Sequence, residues 1–501
     1  MDETRLLEQY PAPVRVDAAE VADRVRESGA TLIVLDDDPT GTQSVADLPV
    51  LTRWEQDDLV WALEQGRDAV YVLTNTRSLD AESAAARNRE IVTAALAAAE
   101  RLERRVAFVS RGDSTLRGHY PLETDVIAAT LEELGGPVPD GVLIVPAFPD
   151  AGRVTIGGIH YYRQNGELVP VAETEFAKDA TFGFRSSALP EWVEEKTKGR
   201  WATADVTVLS LDIIRRGPEA VAAVLQEARG GQPIVVDVVV EDDIRIVALG
   251  LELAEADGKQ FLYRVGPPFV RARIGQEIAS PLEPAELARD DTAGSAAGGL
   301  IVVGSHVDLT TRQLAALHRE HPDLPTVELS VLAIIDADRR DAHLDEAKAR
   351  VVEALAVGDV ILHTSRELVK TDDADASLAI SRDVSAAVCE VVAHALRETP
   401  PRFVIAKGGI TSSDVATNGL EIRHAVVRGP MLPGIVSLWQ AVGGPADGIP
   451  YVVFAGNVGD EDSLARVVEK FHASAATGVD AVVPDAVARD AAAPASVPAS
   501  N

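Results

Sequence analysis

Short apolar runs alternate along the chain with longer segments in which Ala and Leu recur among charged residues. In the first half the runs are TLIVL (31–35), AVYVL (69–73), RVAFV (105–109) and GVLIV (141–145). Between them lie AESAAARNREIVTAALAAAERL (81–102) and ETDVIAATLEEL (123–134), whose apolar positions recur at helical spacing. Runs rich in β-branched residues, without polar alternation, predict strands covered on both faces, and helices of this length suit the crossovers of a parallel sheet. The pattern restarts after LARDDTAGSAAGG (287–299), a small and polar stretch of linker composition. LIVVG (300–304), DVILH (359–363), RFVIA (402–406) and YVVFAG (451–456) are the strands predicted there, with ASLAISRDVSAAVCEVVAHALRE (376–398) among the helices.

The expected fold is α/β, with two lobes in series, each a mostly parallel sheet flanked by helices, and the active site in the cleft between them. The first lobe is placed at 1–286, the linker at 287–299 and the second lobe at 300–483; residues 484–501, rich in Ala and Pro, read as a disordered tail. A chain of 501 residues exceeds what one core organises, which agrees with two lobes.

Composition narrows the class. With 46% hydrophobic and 25% charged residues the chain reads as globular, and no apolar run is long enough for a membrane span. The opening MDETRLLEQY has no basic region followed by an apolar stretch, so no signal peptide is read and a cytoplasmic location is expected. A net charge of −32 disfavours nucleic acid and anionic membranes as partners, and requires local cations around any anionic ligand. The single cysteine, Cys389, excludes a disulfide within the chain and reads as a small buried residue. Self-association is left open.

In an open parallel sheet, ligands bind beyond the carboxyl ends of the strands. In the first lobe these ends carry Asp36, Asp37 and Asp38; Thr74, Asn75, Thr76 and Arg77; Ser110, Arg111, Asp113, Ser114, Arg117 and His119; and Asp150 and Arg153. Asp38-Pro39-Thr40-Gly41 has the residues of a type I turn, so Asp38 reads as structural, and so does His119. Asp36 and Asp37 either cap and pair locally or serve a ligand. Carboxylates facing several arginines at one edge suit a polyhydroxy acid, with Arg77, Arg111, Arg117, Arg153 and Ser114 as candidate binders. Asp36, Asp37 and Asp113 are the candidates for hydroxyl binding and for the base. The irregular stretch 160–200 reads either as a lid or as a plain surface excursion.

The second lobe differs. GSH (304–306), AKGGITSSDVA (406–416) and AGNVGDEDSL (455–464) place glycine with Ser, Thr, Asn or Asp at strand-to-helix junctions, where backbone N–H groups can hold phosphate, and RGPMLPGIVSLW (428–439) reads as a further Gly-Pro loop. Neither GxxxxGK[ST] nor GxGxxG after a strand occurs. No His, Cys or carboxylate cluster has zinc-like spacing, and GDSTLRG lacks the context of a hydrolase elbow.

Together, DDPTGTQ (37–43), TNTRSL (74–79), SRGDSTLRGH (110–119), PAFPDAGR (146–153), KGGITSSDVA and FAGNVGDEDSL resemble the motifs of the four-carbon acid sugar kinase family, in its order and over nearly the whole chain. The resemblance implies a sugar-acid-binding N-terminal domain, a nucleotide-binding C-terminal domain and ATP-dependent phosphorylation of acids such as threonate, erythronate or 3-oxo-tetronate. It places nucleotide contacts on Ser305, Gly408, Gly409, Ile410, Thr411 and Gly456. Mg²⁺ is expected with ATP, held mainly by phosphate oxygens and one or two carboxylates that no motif identifies. Two other readings of the same residues are a sugar-acid sensor without turnover and a sugar-acid dehydrogenase; the intact glycine turns argue against the first and the missing GxGxxG against the second.

Overall fold

The apolar runs become strands because helices cover both of their faces. The computed structural model describes residues 1–164, 166–287, 297–366 and 374–476. Most of the expected linker 287–299 and the expected tail 484–501 lie outside the described residues. In the first half the strands are β1 (Ala30–Asp36), β2 (Leu48–Leu51), β3 (Ala69–Leu73), β4 (Arg105–Arg111), β5 (Gly141–Val145), β6 (Arg153–Ile156), β7 (Ile159–Gln164), β8 (Glu167–Pro170), β9 (Thr207–Leu209), β10 (Gln232–Val236) and β11 (Phe261–Val265). In the second half they are β12 (Leu300–Val303), β13 (Thr326–Leu329), β14 (Val360–Thr364), β15 (Val404–Lys407), β16 (His424–Leu432), β17 (Val436–Val442) and β18 (Pro450–Phe454).

On one face of β1, Leu32 and Val34 share a core with Val21 and Val25 of helix Ala18–Ser28 and with Ile244 and Val247 of helix Glu241–Ala256. On the other, Ile33 and Leu35 meet Leu59 and Leu63 of helix Gln56–Glu64 and Ile91 and Ala95 of helix Ala81–Arg101. The last helix starts where the Asp80 side chain accepts the Ser83 amide at 2.8 Å, and its buried stripe of Ala84, Asn88, Ile91, Ala95 and Ala98 is small enough to lie close on the sheet. Removing the Ile91 side chain to Ala is expected to cost about 2–5 kcal/mol, since nothing fills the space.

Both halves contribute to one 15-stranded sheet, in the order β13-β14-β12-β15-β18-β17-β16-β2-β3-β1-β4-β11-β5-β10-β9. The halves join through β16 and β17. β16 pairs antiparallel with β2, with His424 opposite Leu51 and Val427 opposite Leu48, while β17 pairs antiparallel with β18. The stretch 428–439, expected as a Gly-Pro loop, is therefore largely two strands and their turn. Its glycine and proline mark register shifts between Val427 and Gly429 and between Pro430 and Leu432, and Gly429 has φ +141. Bulges tolerate both residues in a strand that reads as a loop by composition. Three successive antiparallel pairings, β18–β17, β17–β16 and β16–β2, separate the two parallel stretches, which consequently run in opposite directions.

A three-stranded antiparallel sheet, β6-β7-β8, and short helices up to Lys196 occupy the segment whose periodicity is unclear in sequence. It is anchored by a core including Val171, Phe184, Leu189 and Trp192. Among the described residues no helix is long and apolar enough to cross a membrane.

Candidate active site

The order β3-β1-β4-β11-β5 sets the first four expected loops side by side, with β11 interposed. Backbone bonds lace them together: the Asp37 amide donates to Arg111 O at 3.2 Å, the Thr74 amide to Asp36 O at 2.9 Å and the Arg77 amide to Asp37 O at 3.3 Å. Side chains complete the network. Arg77 grips Asp37 with two bonds, Nη2 to Oδ1 at 2.6 Å and Nε to Oδ2 at 3.2 Å, and its Nη1 lies 3.4 Å from Asp38 Oδ2. Arg111 Nη1 donates to Asp36 Oδ1 at 2.8 Å and to Asp37 Oδ1 at 3.3 Å.

The three aspartates occupy different environments. Asp36 lies beneath Gly41, where a Cβ would fall 2.1 Å from its Oδ2, and it is sealed from solvent. Burial, with Asp37 and Asp38 adding repulsion against the pull of Arg111, pushes its carboxyl up to about 7. Asp38 caps the turn Pro39–Ser44, accepting from the Thr40 amide at 2.9 Å and the Thr40 hydroxyl at 2.5 Å, in line with its reading as a turn residue. Burial alone would raise its carboxyl, but Arg77, Arg111 and Thr40 outweigh it and hold it low.

Beside this network, Asp113 accepts from Arg117 Nε at 2.7 Å and from the Thr115 hydroxyl. Burial opposes its ionisation, yet Arg77 and Arg117 hold its carboxyl well below the usual range. Ser114 is buried and its carbonyl accepts from His160 Nε2 at 2.8 Å. Arg153 stands over the Tyr162 and Phe176 rings, at 4.8 and 5.9 Å from their centroids, and no carboxylate among the described residues lies in ion-pair contact with it. Its Nε is buried without a partner, and burial lowers the guanidinium's proton affinity. Phe176 also underlies Arg117, and Phe182 meets His119 edge-on at 5.0 Å, so the excursion after β8 forms one wall of this edge. His119 Nε2 lies 3.1 Å from Thr76 O and 3.0 Å from Leu79 O, a tie between loops. Asp150 turns away to pair with Arg271 at 3.0 Å.

Sequence reasoning missed Arg264 of β11. It donates to Glu123 at 2.5 Å and Ser110 at 2.9 Å, while Glu123 accepts from Thr76 at 2.6 Å, so one buried pair braces three loops from below. The signal was an arginine inside the apolar run FLYRV, since a charge in a buried strand requires a buried partner.

The second edge is built from backbone. Gly304 and Ser305 amides both donate to Lys407 O, at 3.2 and 3.3 Å, and the Gly408 amide donates to Phe454 O at 2.8 Å. Gly408 has φ +131, a conformation that side chains disfavour. A Cβ on Gly456 would fall 2.4 Å from Ser305 Oγ, so the loops containing Ser305, Gly408–Thr411 and Gly456 meet at distances only glycine allows. Ile410, by contrast, is exposed. Lys407, also missed, is wholly buried: its Nζ donates to Ala455 O at 2.6 Å and lies 3.7 Å from the Phe454 centroid. Burial pulls its amine down to about 6.

The two edges touch. The turn Pro39–Ser44 packs against helix Gly409–Asp414 and against β16, β17 and β18. Thr42 Oγ1 receives the Trp439 indole N–H at 2.8 Å and lies 2.9 Å from Ser437 Oγ. Asp38 Oδ2 lies 3.4 Å from where a Gly409 Cβ would stand.

Comparison with known proteins follows the same division. A family model described as a sugar-binding N-terminal domain matches residues 32–273, and one described as a nucleotide-binding C-terminal domain matches residues 300–464. The chain is 26% identical over 471 residues to a D-erythronate kinase of Heliobacterium modesticaldum, covering 90% of this chain and 95% of that one. It is 27% identical over 462 residues to a 3-oxo-tetronate kinase of Methylobacterium radiotolerans, covering 86% and 97% respectively. A Salmonella typhimurium LT2 crystal structure, solved under a tRNA synthase designation, shares the fold with TM-score 0.63 at 21% identity, covering 88% of this chain and 99% of that one. The chain belongs to the four-carbon acid sugar kinase family.

Proposed function

We propose that the protein is an ATP-dependent kinase that phosphorylates a hydroxyl of a four-carbon sugar acid such as threonate, erythronate or 3-oxo-tetronate. The relatives named D-erythronate kinase and 3-oxo-tetronate kinase support the reaction class. The observation that carries it in this molecule is the approach of Asp38 to Gly409, which sets an edge rich in carboxylates and arginines against a loop of bare backbone. Phosphoryl transfer requires that juxtaposition, an acceptor held by side chains facing a phosphate held by amides. The division of labour places the acid on residues 1–286 and the nucleotide on residues 300–483.

ATP suits the second edge, because the loops at Ser305, Gly408 and Gly456 pack so closely that a Cβ on Gly456 would strike Ser305 Oγ, which leaves backbone at the surface of this edge. Ser305, Gly408, Gly409, Ile410, Thr411 and Gly456 would hold it, with the leading amides of helix Gly409–Asp414 free of intrahelical acceptors. Mg²⁺ would be held mainly by phosphate oxygens, with Asp38 Oδ2, which Arg77 Nη1 also approaches at 3.4 Å, as the carboxylate oxygen facing this loop. When bound, the pair supplies the phosphoryl group and neutralises its charge.

The protein's own groups do the rest. Arg153, without a carboxylate partner among the described residues, receives that of the substrate. Asp113, held ionised, accepts hydrogen bonds from substrate hydroxyls. Asp37, fixed by Arg77, takes the proton from the attacking hydroxyl, and Arg77 and Arg117 balance the negative charge that migrates past them. Asp36 orients Arg111 from beneath. Phe176 and Phe182 shield the edge from water.

A coupled ADP-release assay with ATP and Mg²⁺ across D- and L-threonate, D- and L-erythronate and their 3-oxo derivatives tests this reading. One acid is expected to give a large rate. Silence across the panel without ATP binding by calorimetry overturns the kinase, and silence with ATP binding moves the acceptor to longer or branched acids.

A further inference from the structure

The second half carries a histidine and carboxylate cluster far from the glycine loops. Helix Asp308–Glu320 begins just beyond Ser305, and helix Ser463–Ala476 begins just beyond Gly456. Both start at the carboxyl edges of parallel strands, so they run the same way and converge at the opposite side of the sheet. There His321, which ends the first helix, meets Glu469 and His472 of the second. His321 Nε2 lies 2.8 Å from Glu469 Oε1, His472 Nδ1 lies 4.0 Å from the same oxygen, and all three donor atoms fall within 4.8 Å of one another.

The protonation pattern of one ring is set by its neighbour. Asp359 Oδ2 lies 2.6 Å from His472 Nε2, and a carboxylate only accepts, so Nε2 carries a proton and Nδ1 is the nitrogen left on the side of Glu469. Asp359 is itself buried and fixed, its Oδ1 accepting the Gly299 amide at 2.6 Å with Arg402 at 3.9 Å. A carboxylate that orients an imidazole whose other nitrogen faces further donors is the arrangement found around metal-bound histidines. His321 Nε2 is closed to solvent and forms no well-directed hydrogen bond despite its proximity to Glu469. An open cavity of about 1110 Å³, with His321, His472, Asp359 and Arg402 in its wall, leaves room for a further ligand.

We propose that His321, Glu469 and His472 bind a divalent cation of the zinc class, with Asp359 as the outer carboxylate that orients His472. Two imidazoles and one carboxylate with an open position are a donor set zinc accepts. Ligands about 2.0–2.2 Å from a tetrahedral ion stand roughly 3.4 Å apart, so modest side-chain rotations close the observed spacings. A helix of 13 residues is about 20 Å long, which places the cation away from the phosphate loops and gives it a clamping role. It ties together the far ends of two helices whose near ends carry Ser305 and Gly456. This site stands independently of the kinase reading.

The test uses tag-free, full-length protein freed of metal with a chelator, titrated with ZnCl₂ by calorimetry and with CoCl₂ by visible absorption. One Zn²⁺ per chain, a melting temperature that rises with Zn²⁺, and Co²⁺ bands in the visible are expected. His321→Ala and Glu469→Gln should each weaken Zn²⁺ at least tenfold, and Asp359→Asn about 10–100-fold. His472→Gln keeps an N–H for Asp359 while removing the donor nitrogen, and should lose Zn²⁺ with its unliganded melting temperature preserved. Absence of Zn²⁺ binding in the wild type, or Zn²⁺ affinity unchanged in the His321→Ala/His472→Gln double variant, overturns the proposal.

Discussion

The two edges that meet at Asp38 and Gly409 are made of opposite materials. On the first, Asp36, Asp37, Asp38 and Asp113 are balanced against Arg77, Arg111 and Arg117, and the polar groups are side chains. On the second, the residues around Ser305, Gly408 and Gly456 offer closely packed backbone, and the nearby buried Lys407 contacts a carbonyl and a ring. The difference teaches where each half is vulnerable: the first to a change of charge at constant shape, the second to added volume at constant charge.

The largest effect expected from this contrast is at Asp37. Asp37→Asn is nearly isosteric and should reduce turnover by about 10²–10⁴-fold with the circular dichroism spectrum unchanged; near-normal turnover would break the first half of the comparison. Gly456→Val changes no charge, yet its Cβ would clash with Ser305 Oγ. Calorimetry should show ATP affinity falling by an order of magnitude or more while affinity for the acid holds, and equal losses for both ligands would erase the division. Arg153→Gln should raise the KM for the acid by roughly tenfold or more, the worth of one charge-assisted hydrogen-bonded contact, and leave the KM for ATP in place.

The smallest effects sharpen the contrast through pH. Asp36 rises from 3.8 to about 7 on folding, so the stability it contributes is full below pH 3.8 and is lost as pH climbs toward 7. Lys407 falls from 10.5 to about 6, so between those values the unfolded chain binds a proton that the folded one does not, and stability rises with pH. Melting temperatures across pH should show Asp36→Asn and Lys407→Met removing slopes of opposite sign, each at most about 1.4 kcal/mol per pH unit.

The parallel strands were legible because burial on both faces leaves an apolar run with no polar interruption, and the boundaries of AVYVL and GVLIV match β3 and β5. The loops were legible because the fold class places ligands at strand ends, and Asp36, Asp37, Arg77 and Arg111 do converge there. What eluded the sequence is long-range. Nothing local distinguishes Arg153, which has no carboxylate partner among the described residues, from Arg111, which has two, because the partners arrive from other loops. Gly429 and Pro430 signal a break in regular structure, and only the pairing with β2 and β17 reveals that the break is a bulge. His321 and the pair Glu469 and His472 lie too far apart for any spacing rule, and the parallel course of two helices unites them.

The continuous sheet has a mechanical consequence. Were the halves separate bodies on a tether, the tether would be their hinge. Here ladder bonds from β2 to β16 cross the boundary, joined by Arg423 and His424 on Asp58. Relative motion must therefore bend the sheet itself, most easily at the register shifts around Gly429 and Pro430, where the ladder is interrupted. Covalent continuity becomes dispensable: two polypeptides divided between residues 287 and 297, produced together, are expected to reassemble edge to edge and purify as one particle.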